Sequence, residues 1–191
     1  MGKKFMNIAN QLTLGRVLLV FVFMAVIWNP WLPLNTTLWI ALVIFVVASL
    51  TDFLDGYLAR KYHLVTNLGK FMDPLADKML VTAAMIALID LSGVLPAGRL
   101  PAWIVIIILL REFAVSGVRL VAANENIVIA ANQLAKIKTT VQMIMIVVYL
   151  VPIEHVLWQS LAILLAYAAL ILTIVSGAQY LWQNRQVLKV K

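Results

Sequence analysis

The chain has 191 residues, 64% of them hydrophobic and 12% charged, with a formal net charge of +7 and no cysteine. Soluble domains run at about 45–50% apolar and about 25% charged, so an ordinary soluble domain is excluded and an integral membrane protein is indicated. Without cysteine there is no disulfide framework and no thiolate metal site. The excess cations flank or interrupt apolar segments, which reads as topology and anionic lipid rather than nucleic-acid binding.

A helix needs roughly 20 apolar residues to cross a hydrocarbon core, and six segments approach that requirement. The first runs from about Leu12 to Trp28 and stops at Asn29-Pro30. No small-residue cleavage site follows it, so it reads as retained. The second runs from about Thr37 to Arg60 and the third from about Gly69 to Leu91. The fourth covers about Pro101 to Ala123, the fifth Ala131 to Val151 and the sixth His155 to Trp182. Breaker-rich connectors separate them: NPWLPLN, SGVLPAGRLP, ANEN and VPIEH. The expectation is an all-α integral membrane protein of six transmembrane helices, with residues 1–191 forming one membrane domain.

Every lysine and arginine except Arg99 falls on the side of the amino terminus, a strong positive-inside bias. Both termini and the connection between segments two and three are therefore expected to face the cytoplasm. Arg111 and Arg119 interrupt segment four, and charges at such depth usually face a bundle interior or a wet cavity. For Lys70, Lys138 and the tail lysines, snorkelling to the interface is the expected behaviour. Trp28, Trp31, Trp39, Trp103 and Trp158 read as an outer aromatic belt. Asp90 ends segment three with no evident role.

Half of the eight acidic residues crowd the junction of segments two and three. Asp52 and Asp55 are three apart, and Asp73 and Asp77 are four apart, so each pair shares a helix face. Consecutive antiparallel helices would bring the pairs together, where four carboxylates repel unless cations neutralise them. An all-oxygen cluster suits a hard divalent ion such as Mg²⁺ or Mn²⁺. Gly56 and Gly69 would let a phosphate approach the backbone, or alternatively allow tight helix packing.

The full spacing is D-x2-D-G-x2-A-R-x8-G-x3-D-x3-D, filled by Asp52, Asp55, Gly56, Ala59, Arg60, Gly69, Asp73 and Asp77. It resembles, at every specified position, the signature of the CDP-alcohol phosphotransferases, membrane enzymes of phospholipid synthesis. That resemblance implies the six-helix CDP-alcohol phosphotransferase fold, with the signature spanning helices two and three. It implies that Asp52, Asp55, Asp73 and Asp77 hold one or two divalent cations. It makes Asp77 the catalytic base, and it places Gly56, Ala59, Arg60 and Gly69 around the CDP part of the donor. Thr13 and Arg16, one turn apart in segment one, either approach the donor's phosphates or cap and anchor that helix.

The acceptor is expected to be anionic, because the cytoplasmic half also holds Arg111, Arg119 and Lys136. Lys136 and Lys138 point about 200° apart on a helix, and Lys136, sharing a face with Thr139 and Thr140, is the one expected to reach a phosphate. Glu112 could pair with or orient Arg119; ion pairing within Arg111-Glu112 is the structural alternative. NIANQLTLGR, REFAVSGVRL and AKIKTTVQM resemble segments of the family branch that makes phosphatidylglycerol phosphate, with Ala9 and Ala135 departing from it. The implied reaction joins CDP-diacylglycerol to sn-glycerol 3-phosphate and releases CMP, in a homodimer of the bacterial cytoplasmic membrane. The rival readings are another acceptor, such as inositol phosphate or serine, and a divalent-cation transporter. Segments two and three become uniformly apolar beyond the aspartates, which argues against a conduit.

Overall fold

The computed structural model describes the backbone of residues 8–61, 67–124 and 133–185, and the side chains of 14–51, 78–122 and 133–185. The described residues form six α-helices and one short 3₁₀ turn. The helices are α1 (Ile8–Ile27), α2 (Leu34–Lys61), α3 (Asn67–Asp90), α4 (Ala102–Asn124), α5 (Gln133–Leu150) and α6 (Val156–Gln183). Their ends lie within a few residues of the expected ones, α1 apart, whose start lies four residues earlier. Leu34–Thr51 of α2, all of α5 and all of α6 are long and apolar enough to cross a membrane, and α1 contributes the shorter apolar run Leu14–Ile27. Arg111, Glu112 and Arg119 break up α4, so hydropathy alone does not class it with the other three. The chain divides into two compact units, Met1–Asp90 with Leu150–Pro152, and Leu91–Tyr149 with Ile153–Lys191.

In the first unit α1 packs on α2 and α3, and α2 on α3. The buried residues follow helical periodicity: Arg16, Val20, Phe23 and Ile27 on α1, and Leu38, Ala41, Phe45 and Ala48 on α2. The opposite faces are apolar as well, with Leu18, Phe21, Val43, Val47 and Leu50 exposed, as a lipid-facing bundle requires. Trp28 Nε1 donates to Asp90 Oδ2 at 2.8 Å, tying the end of α1 to the end of α3. Asp90 therefore has a role that its sequence position did not reveal.

In the second unit α4 packs on α6. His155 caps α6, its side chain accepting from the Leu157 N–H. Trp158 Nε1 donates to the Val148 carbonyl at 3.0 Å, joining α6 to α5. The segment before α4 is held by Gln159 Nε2 donating to the Pro96 carbonyl and by Ser92 Oγ donating to the Leu100 carbonyl. Its turn needs Gly98, whose φ of +87° disfavours any side chain.

Candidate active site

The apolar window of α2 ends at Thr51, immediately before Asp52. A helix of 28 residues is about 42 Å long, well beyond a hydrocarbon core of about 30 Å. The end bearing Asp52, Asp55, Gly56, Ala59 and Arg60 therefore extends past the apolar run. Gly69, Asp73 and Asp77 occupy the opening turns of α3. Both stretches are helical, so the three- and four-residue spacings do place each aspartate pair on one helix face. The side chains of these eight residues, and of Thr13, lie outside the described residues. Ser49 and Thr51, on the turn leading into the aspartates, donate to the Phe45 and Val47 carbonyls of their own helix, each at 2.7 Å. The donor set is four carboxylates on two packed helices, all oxygen, and its chemistry fits a hard divalent cation.

Arg16 is only 1% exposed and lies in the body of α1. That position, inside the helix rather than at its end, does not suit a cap.

The second unit contains a charged cluster whose side chains are fully described. Glu112 Oε1 meets Arg111 Nη1 at 3.0 Å and Lys138 Nζ at 2.5 Å. Arg111 Nη2 donates to Ser176 Oγ at 3.0 Å, and Ser176 donates in turn to the Thr173 carbonyl at 3.3 Å. Neighbours in sequence do not face each other on a helix, and Arg111 reaches Glu112 only because its side chain is long. The Lys138 side chain is 3% exposed, that of Arg111 13% and that of Glu112 21%. Two cations share one carboxylate oxygen in poorly solvated surroundings, the ion pairing that the sequence offered as the structural alternative to a phosphate clamp. About two helical turns further along α4, Arg119 lies over the Tyr180 ring, 5.6 Å from its centroid. Tyr180 packs with Val115 and Val118 into a buried patch.

A model of the CDP-alcohol phosphatidyltransferase family matches residues 6–175. The chain belongs to that family. It is 43% identical over 195 residues to the CDP-diacylglycerol–glycerol-3-phosphate 3-phosphatidyltransferase of Bacillus subtilis, covering 96% of this chain and 97% of that one. It is 37% identical over 174 residues to a probable phosphatidylglycerophosphate synthase of Mycobacterium tuberculosis, covering 91% and 79%. A Rickettsia felis protein named as the Bacillus one is 34% identical over 179 residues, covering 91% and 93%.

Within this CDP-alcohol phosphatidyltransferase, two sequence expectations need correction. Lys138 does not snorkel: it is 2% exposed overall and bound to Glu112, because an opposite charge within reach on the neighbouring helix is a better partner than the interface. Glu112 engages Arg111 and Lys138, while Arg119 lies over Tyr180. Lys136, on the other side of α5, is exposed. The hydroxyls of Thr139 and Thr140 donate to the Ala135 and Lys136 carbonyls. Ser176 and Gly177, which contact Arg111, were missed altogether; the available signal was the small-polar face Thr173, Ser176, Gly177 and Tyr180 in the last third of α6.

The difference between the two lysines is measurable. Lys138→Ala is expected to destabilise the protein by about 1–3 kcal/mol, less than a fully buried pair because Glu112 keeps Arg111 and is partly exposed. Lys136→Ala should leave the thermal transition in detergent where it is. Equal melting of the two variants would contradict the burial assigned to Lys138.

Proposed function

We propose that this chain transfers the phosphatidyl group of CDP-diacylglycerol to sn-glycerol 3-phosphate, giving phosphatidylglycerol phosphate and CMP. The relatives named for that reaction, aligned over nearly the whole chain, support the donor and the reaction class. The observation that carries the acceptor is the same alignment, both relatives being named for glycerol 3-phosphate; the Arg111–Glu112 pair is the structural alternative raised from the sequence, and the kinetics of Arg111 variants decide between the two.

In this reading Asp52, Asp55, Asp73 and Asp77 would hold Mg²⁺ or Mn²⁺, which when bound offsets charge on the donor's diphosphate. Gly56, Ala59, Arg60, Gly69 and Thr13 receive the CDP portion, and buried Arg16 adds positive charge to α1. Asp77 takes the proton of the acceptor's 1-hydroxyl. The oxygen then bonds to the phosphorus carrying diacylglycerol, the bond from that phosphorus to CMP breaks, and CMP leaves with its electron pair. Arg111 and Arg119 hold the acceptor's phosphate, Lys136 being turned to the other side of α5 from Lys138 and the cluster on α4, so that orientation rather than covalent help lowers the barrier. The chain works as one six-crossing domain of a bacterial cytoplasmic membrane, both termini and the site cytoplasmic, as a homodimer.

The test is CMP release by purified protein supplied with CDP-diacylglycerol, Mg²⁺ and one alcohol at a time. Release is expected with glycerol 3-phosphate and to be abolished by EDTA. Release with inositol phosphate or serine, and none with glycerol 3-phosphate, would overturn the acceptor assignment.

A further inference from the structure

We infer that Ser176 and Gly177 of α6 are positioning residues that form the seat for the Arg111 side chain, an inference that rests on the acceptor-phosphate role proposed for Arg111. Glycine is among the least favourable residues in a helix interior, and Gly177 lies inside a 28-residue helix without a positive φ to explain it. Packing explains it. A Cβ at position 177 would lie 2.8 Å from Arg111 Cγ, 3.3 Å from Nε and 3.6 Å from Cδ. The arginine stem rests on bare helix backbone, and it is the middle of that stem, rather than a freely swinging end, that a methyl group would strike. The other described α-helical glycines lack this constraint: a Cβ at Gly15 or Gly117 meets nothing within 4 Å.

Ser176 completes the seat. It is 1% exposed, its hydroxyl hydrogen is directed to the Thr173 carbonyl, and its oxygen accepts from Arg111 Nη2. Glu112 takes Nη1 from the other side. Nε, buried, finds no acceptor among the described residues. The guanidinium is thus held along its stem and at both terminal nitrogens before any anion arrives. Pre-set geometry of this kind matters in phosphoryl chemistry, where a displacement of about 1 Å costs on the order of 100-fold in rate.

A close-packed helix pair would also want small residues here, so the test must separate packing from positioning. Steady-state kinetics are measured for Gly177→Ala, Arg111→Ala and the double variant, with KM resolved for each substrate. The seat predicts that Gly177→Ala raises KM for glycerol 3-phosphate about tenfold or more and leaves KM for CDP-diacylglycerol unchanged. In the Arg111→Ala background the same substitution should change kcat/KM less than twofold, since the stem it strikes is gone. Equal effects in both backgrounds, or a parallel rise in both KM values, would overturn the seat. Should Gly177→Ala not fold, Ser176→Ala removes one hydrogen bond without a clash. It should raise the acceptor KM several-fold while leaving the donor KM unchanged, and a wild-type acceptor KM would overturn the seat. Wild-type protein that ignores glycerol 3-phosphate but uses another alcohol refutes the acceptor reading instead. The same cycle on that alcohol then tests the seat by itself.

Discussion

Asp77→Asn is expected to slow CMP release by about 10²–10⁴-fold, the range over which a positioned general base contributes. The substitution is nearly isosteric and lies in the helical opening half of α3, four residues after Asp73. In the proposed reaction it removes the group that accepts the hydroxyl proton and weakens one carboxylate of the proposed cation site. The fold does not depend on it, because the core of the first unit is built from the apolar stripes of α1, α2 and later α3. Rates should be measured with both substrates saturating, alongside the thermal transition. Loss of turnover at an unchanged transition supports the assignment, whereas turnover near the wild-type rate refutes Asp77 as the base.

Arg111→Ala should raise KM for glycerol 3-phosphate by about 10–150-fold, the equivalent of one charge-assisted hydrogen bond. Donor KM should stay where it is. Glu112 retains Lys138 at 2.5 Å in this variant, so no carboxylate is left without a partner and the protein should remain folded. Arg111→Lys is expected to recover little. An ammonium is a point charge without the planar fork that meets Glu112 with one nitrogen and Ser176 with the other. An unchanged acceptor KM in Arg111→Ala would remove this arginine from the phosphate site.

The aspartates and Arg111 were legible for different reasons. The eight-position signature from Asp52 to Asp77 is local: both halves lie on consecutive helices, and their spacing is itself the information. The helices were legible too, because in a membrane chain apolar length and breakers decide where each begins and ends. Arg111 stood out as a charge within an apolar run. Its pairing with the adjacent Glu112 was open to view, but Ser176 is 65 residues from Arg111 and Lys138 is 26 from Glu112, and nothing in the spacing links them. Lys136 and Lys138 do point apart, but Lys136 was the one expected to turn inward, and the structure turns Lys138 toward α4 and leaves Lys136 exposed.

The sequence by itself determined the membrane class, the extents of the helices, the acidic signature and the family, because each depends on composition or on spacing along one or two adjacent helices. Tertiary structure decided which charges meet. Only the packing of α4 on α6, and the rotation of α5 about its own axis, bring Glu112 to Lys138 and lay Arg111 across Gly177. A charge in a membrane helix must find a partner, and helical periodicity tells which face it lies on but not what lies opposite.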